Sequence, residues 1–355
     1  PVGEDAAFAY TTALNYLLRN NTQRVQIGDA TTVYWSARPA PMTLAMLGLT
    51  LSGGMEQEND ADGDTGKALA APAQDPGLLH QLRLALEAFR DGKKPMDLDA
   101  GWDEPSIPFY VLGLSPNNAR LVVRFWHMST VGDITARLGQ HFQDIAMEKR
   151  SPRDPAFPGM FRLLVEAAPQ RKAENIPPLL GGELARAIFG GGNYPFSLLS
   201  RLIGRIRADG DITYLRAAMI KGLLVRKARL ANTTEEITVS LNEESTNIGY
   251  RLGRLFAVLE KAQLDALGKV NATIKDRFFG AASATPRAVF PRLIRLAQHH
   301  IAKAEYGMRS DKAMGTILDD IQDFPPHLSL EDQGRFALGY YQQRNALYTK
   351  KEETA

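Results

Sequence analysis

From Thr246 to Lys303 apolar residues return at helical spacing while cations fill many of the positions between them. That pattern commits the segment to helices packed by one face only. It reads TNIGYRLGRLFAVLEKAQLDALG, then KVNATIKDRFFGAASA, then TPRAVFPRLIRLAQHHIAK. In the last piece Thr285 is placed to cap, Pro286 or Pro291 to occupy a first helical turn, and Leu293, Ala297, His300, Ile301 and Ala304 to share a face. Arg292, Arg295, His299 and Lys303 fall on the other side, within an arc of roughly 80°. By itself such a stripe reads as the solvated face of an ordinary helix.

Regional charge weakens that reading. The 355 residues carry a formal net charge of only +2, yet residues 200–310 hold 19 Lys and Arg against 10 Asp and Glu, a local +9. Residues 1–106 run the other way, with 8 bases against 15 acids. A merely soluble surface mixes its signs, whereas a block of one sign attracts polyanions, and nucleic acid is the favoured partner.

A chain of this length that is 44% hydrophobic buries a substantial core and is expected to form two or more domains. Its longest apolar stretch, Ala40 to Leu51, is about a dozen residues, includes Pro41 and is too short to span a bilayer. The absence of cysteine excludes disulfides, thiolate metal sites and cysteine nucleophiles, and fits a cytoplasmic protein. PVGEDAAFAY has neither a methionine nor the pattern of a signal peptide, so a native N-terminal part is expected to precede this numbering.

Taken in order, Ala7 to Asn20 has a mixed helical pattern with Phe8, Leu14, Leu17 and Leu18. RVQIGDATTVYWS predicts a hairpin about Gly28-Asp29, with Tyr34 and Trp35 as core aromatics rather than base-stacking groups. Ser52 to Gly66 reads as a loop, and its Asp60, Asp62 and Asp64 fail the calcium-loop pattern, which needs Gly at Thr65 and Glu at Ala71. Asp75 is placed to cap a helix burying Leu78, Leu79, Leu82, Leu86 and Phe89.

PFYVLGLSPNNARLVVRFWHM predicts two strands joined by a Ser115-Pro116-Asn117-Asn118 turn, followed by a helix from Ile134 to Lys149 that ends before Pro152, Pro155 and Pro158. Beyond them the pattern is helical: Ile176 to Phe189, a glycine corner at 190–192, a helix from Pro195, one capped by Asp211, the charged segment, then Asp311 to Gln322 and Leu330 to Tyr348. The fold class is therefore α+β, with a small antiparallel sheet and helices in residues 1–155 and an all-α bundle in residues 156–355.

No catalytic constellation emerges. His80, His127, His141, His299, His300 and His327 include no i, i+4 pair for a metal, and no Gly-x-Ser-x-Gly elbow or phosphate loop is present. Asp91-Gly92-Lys93 spells an acid-x-lysine pair without the partner aspartate that a nuclease needs. The expectation is a non-enzyme without cofactor or metal.

IGDATTVYWSA, FYVLGLSPNNARLVVRFW, IPPLLGGELARAI, NYPFSLLSRLIGRIRADG, YRLGRLFAVLEKAQ and KDRFFGAASATPRAVFPRLIRLAQHH resemble, in collinear order from about residue 7 to 348, the large subunit of the type I-C CRISPR Cascade. The resemblance implies a non-catalytic subunit of a crRNA-guided complex, sited at the crRNA 5′ handle. Implied partners are the crRNA-bearing backbone and handle-binding subunits, small subunits, both strands of the target R-loop, and the helicase-nuclease recruited afterwards. It implies recognition next to the protospacer-adjacent motif and stabilisation of the opened DNA. It also implies a C-terminal part like the small subunit, for which Met219 is a candidate internal start. The resemblance implies a further N-terminal domain ahead of this numbering, so no base-reading residue is assigned.

The cations instead fit sequence-independent phosphate contacts, since guide pairing carries the sequence information. The candidates are Arg251, Arg254, Lys269, Lys275, Arg277, Arg287, Arg292, Arg295 and Lys303, with Arg201, Arg205, Arg226 and Lys227 in second rank. Any one of them is equally suited to an internal ion pair, such as Arg277 with Asp276 or Arg254 with an interhelical acid. The rival is a purely structural helical scaffold packed on neighbouring subunits of a ribonucleoprotein.

Overall fold

A computed structural model describes residues 3–52, 76–91, 93, 102–118, 120–268, 270–305 and 307–349. Among them are 13 α-helices and one four-stranded antiparallel sheet, an α+β fold with helices alone in its C-terminal part. The chain divides into two compact units, Pro1–Ala146 with Pro152–Leu198, and Met147–Ser151 with Leu199–Ala355.

In the first unit α1 (Glu4–Arg19) precedes the predicted hairpin, β1 (Arg24–Ile27) and β2 (Ala30–Ser36). α2 (Pro41–Leu51) is the apolar stretch. Being hydrophobic on every side it is buried on every side, from Met42 to Leu51 with Leu44 half-covered. α3 (Pro76–Arg90) buries Leu82, Leu86 and Phe89, while Leu78 and Leu79 stay half-exposed. The expected Asp75 cap, the acidic loop with Asp60, Asp62 and Asp64, and Gly92 of the Asp-Gly-Lys triplet lie outside the described residues.

β3 (Pro108–Asn117) and β4 (Arg120–Thr130) complete a meander of order β1-β2-β3-β4. Ser115, Pro116 and Asn117 belong to β3 and pair with β4, so the turn is tighter than the expected four-residue one, with Asn118 at φ 53°. One sheet face carries Val25, Ile27, Tyr34, Phe109, Val111 and Phe125, all buried. α4 (Val131–Ile145), α5 (Met160–Val165) and α6 (Pro178–Gly190) follow. α4 starts at Thr130, whose side chain accepts from the Asp133 amide, and ends four residues before the expected Lys149. α6 ends on Gly191 at φ 74°, the left-handed cap that a glycine corner supplies. None of the residues of α1 is buried, and Phe8 is 74% exposed.

α7 (Phe196–Asp209) buries Leu198, Leu199, Leu202, Ile203 and Ile206 as its spacing predicts. The second unit adds α8 (Tyr214–Leu230), α9 (Ile248–Leu267), α10 (Ile274–Ala284), α11 (Pro286–Ile301), α12 (Gly307–Asp319) and α13 (Leu330–Tyr348). Thr213, not Asp211, caps α8 by accepting from the Arg216 amide. Met219 lies inside α8, fully buried.

α9 and α13 run in the same direction, because Gly249 meets Asp332 at one end and Glu260 meets Tyr340 further along. They approach so closely that a Cβ on Gly253 would lie 2.0 Å from the Phe336 carbonyl oxygen, and one on Gly339 2.1 Å from that of Tyr250. The core beside this crossing is aromatic: Phe256 contacts Phe279, Phe290, Phe336 and Tyr340 at ring-centroid distances of 5.7 to 6.5 Å. Two of its buried hydroxyls are matched. The Tyr340 hydroxyl donates to Glu260 at 2.5 Å, where Thr273 also donates at 2.8 Å, and the Tyr250 hydroxyl donates to Gln342 at 2.5 Å.

Candidate nucleic-acid interface

α10 opens with a capping box in which the Thr273 side chain and Asp276 exchange bonds with each other's backbone amides. Asp276 is thereby engaged at the helix end, and Arg277 beside it stays exposed. α11 begins with Pro286 at its first position, where a missing donor costs nothing. Pro291 sits inside the helix, and Thr285 makes no side-chain cap, its hydroxyl donating instead to the Ala281 carbonyl. Phe290, Leu293 and Ala297 are buried, while His300 and Ile301 are half-exposed.

That packing turns Arg292, Arg295 and His299 outward, and Lys303 follows just past the helix end, also exposed. From residue 292 to 303 the run spans about 16 Å at helical rise. The Arg292 guanidinium lies 5.4 Å from the Phe278 ring centroid, which ties α11 to α10, and Arg295 Nε donates to the Pro291 carbonyl at 3.3 Å. Among the described residues none of Arg201, Arg277, Arg292, Arg295 or Lys303 makes an ion pair with a carboxylate. His300 is held below its ordinary value of 6.5, first by burial and then by the neighbouring charges of Lys303 and His299. This face therefore collects positive charge without internal neutralisation, and its arginines keep N–H groups free for phosphate oxygens.

The other candidates stand elsewhere. Arg254 is 6% exposed, donating from Nε to Gln343 at 3.0 Å and from Nη1 to the Glu243 carbonyl at 2.7 Å. Arg251 donates to the Ser245 and Asp320 carbonyls at 2.6 and 2.7 Å. Arg226 is 1% exposed inside α8. Arg205 pairs with Asp209, Lys227 with Glu331, and Arg287 with Asp323 at 2.6 Å. Lys275 is half-buried over the Tyr340 ring, and burial lowers its pKa against the opposing pull of Asp211 and Glu260. Lys269 lies outside the described residues.

Sequence reasoning also passed over internal anchors. Arg216 is fully buried on α8 and bonds Asp209 at 2.5 Å and the Asp211 carbonyl at 2.9 Å. Glu236 receives Ser245 Oγ and the Thr246 and Asn247 amides ahead of α9. Arg335 bridges Glu235 at 2.7 Å and Asp332 at 2.9 Å. Only the pairing of Arg335 with Asp332, three residues apart on α13, has a signal in the sequence.

The family model described as CRISPR-associated protein (Cas_Csd1) matches residues 1–348. The chain belongs to the Cas_Csd1 family. No curated protein matches it. Membership in Cas_Csd1 makes this a CRISPR-associated protein. No helix among the described residues of this Cas_Csd1 chain is long and apolar enough to cross a membrane.

Proposed function

We propose that this chain is the large subunit of a type I-C CRISPR Cascade. In this reading it acts beside the protospacer-adjacent motif, holds the opened target DNA and helps to recruit the helicase-nuclease, without catalysis of its own. The observation that carries the reading is the run of exposed cations along α11 and just past its end, Arg292, Arg295 and Lys303, none in an ion pair among the described residues; Arg277 on α10 and Arg201 on α7 are likewise exposed and unpaired. Arg292 and Arg295 lie about 4.5 Å apart along the helix rise and Lys303 about 12 Å further on, so a phosphate backbone laid along them meets positive charge at more than one point. The contacts carry no base information, which suits a subunit whose guide RNA supplies the specificity.

A scaffold role suits the remaining cations. Arg226, Arg251 and Arg254 are buried or bonded within their own unit, so their charges serve the bundle itself. Hydroxyl-radical footprinting of target DNA on the assembled complex separates the two roles. Protection of a strand that is lost on charge reversal of Arg292 and Arg295 is the expected result. No protection of either strand by this unit favours the scaffold.

A further inference from the structure

β4 is a long edge strand left open. It has eleven residues at one end of the order β1-β2-β3-β4, whereas the opposite edge, β1, has four; α4 and α6 pack on the face of β4 that carries Phe125 and His127 and leave the other face open. Among the described residues, no backbone group from 121 to 129 makes a hydrogen bond outside the ladder with β3. Leu121, Val123, Trp126 and Met128 are 63, 57, 51 and 66% exposed. They share one face because the ladder pairs Leu114 with Val123 but Gly113 with Phe125, leaving Arg124 as the extra residue of a bulge. RLVVRFWHMST contains no proline, lysine or acid, the residues by which natural sheet edges deter pairing.

We propose that β4 takes up an extended segment of a neighbouring polypeptide as a fifth strand, an inference that rests on this chain's place in a CRISPR ribonucleoprotein. The added segment satisfies the outward backbone groups of β4 and sets apolar side chains at alternate positions beside Leu121, Val123, Trp126 and Met128. Its charge is acidic. β4 carries no acid, and His127 is turned to the opposite face against Arg137 and Phe189. Asp29 neutralises Arg124, while exposed Arg120 meets no carboxylate among the described residues.

The alternatives fit less well. A second copy of this chain brings the same bases together without an acid between them. Nucleobases leave the strand's amides unpaired, and the rings of this face already occupy one another: Trp35 stacks on Tyr110 at 5.2 Å, and Trp126 lies 5.7 and 5.9 Å from the two.

The test is amide hydrogen exchange on the full chain, alone and assembled with the co-expressed subunits of its ribonucleoprotein, before target DNA is added. Exchange across residues 121–129 is expected to slow by about tenfold or more on assembly. Val123→Asp and Met128→Asp are expected to abolish incorporation while leaving circular dichroism and Tm of the isolated chain unchanged. Equal exchange in both states overturns the proposal. So does protection that arises from concentration-dependent self-association of the isolated chain, or from free RNA alone. Because target DNA is absent and α10 and α11 are untouched, failure here is separable from failure of the phosphate-holding role.

Discussion

The Arg292 guanidinium lies 5.4 Å from the centroid of the Phe278 ring, so a cation on α11 is braced by an aromatic on α10. The ring limits the rotamers of an exposed arginine and leaves its N–H edge available, a cation–π contact of about 0.5 to 1 kcal/mol. Phe278→Ala is expected to weaken nucleic-acid binding by about two- to fivefold with the charge intact. Arg292→Lys is expected to weaken it too, because lysine presents a point charge rather than a fork. Equilibrium binding to a labelled single strand measures both.

Arg254 serves the opposite purpose. Replacing it with Met leaves Gln343 Oε1 and the Glu243 carbonyl without a donor in a buried setting, which costs about 1 to 3 kcal/mol. The unfolding midpoint of the second unit is expected to fall by several degrees, while binding by the protein that remains folded is unchanged. Arg277→Met is expected to show the reverse, with stability kept and affinity reduced.

The crossing of α9 and α13 tolerates no added carbon. A Cβ on Gly253 meets the Phe336 carbonyl oxygen at 2.0 Å, so Gly253→Ala must separate the helices and is expected to destabilise by about 3 kcal/mol. Gly315 on α12 meets nothing within 4 Å. There Gly→Ala is expected to stabilise by about 0.5 to 1 kcal/mol through helix propensity. Thermal or denaturant unfolding distinguishes the two.

Acid is expected to unfold the second unit. Asp209, Glu236 and Asp332 are held below their ordinary values of 3.8, 4.5 and 3.8. Burial opposes ionisation in each and is outweighed by hydrogen bonds, from Ser245, Thr246 and Asn247 to Glu236, from Ser329, Asn247 and Arg335 to Asp332, and from Arg205 and Arg216 to Asp209. In acid the unfolded chain therefore binds more protons than the folded one. The stabilisation is complete above the ordinary values and is lost as pH falls through the lowered ones. The midpoint should fall slightly through the histidine range, because His300 is also held below its ordinary value, and more steeply below about pH 5, and Glu236→Gln should remove part of the steeper dependence.

Much of this architecture is legible in the chain. Period-2 runs around Gly28-Asp29 and from Pro108 to Met128 mark the sheet, and period-3.6 runs mark the helices, because each reflects which side chains leave water. Leu330–Tyr348 is a helix with both ends as read. The exposed line on α11 is legible for the same reason, since Leu293 and Ala297 fix the buried side. What the pattern cannot carry is partnership across long sequence separations. Arg254 and Arg292 look alike as basic positions on amphipathic helices, yet one reaches Gln343, 89 residues on, and the other faces solvent. Capping at Asp211 and Thr285 is not legible because several polar residues compete for each helix start. The exposure of Phe8 on α1 has no signal in composition or spacing.

The most direct test is the salt dependence of R-loop formation by the assembled complex carrying Arg292→Glu and Arg295→Glu. Two lost phosphate contacts are expected to weaken binding and to flatten the slope of log K against log salt by about 1.4 to 1.8, with Tm unchanged. Binding equal to that of the unaltered complex across the whole salt series would contradict a phosphate-holding role for this face.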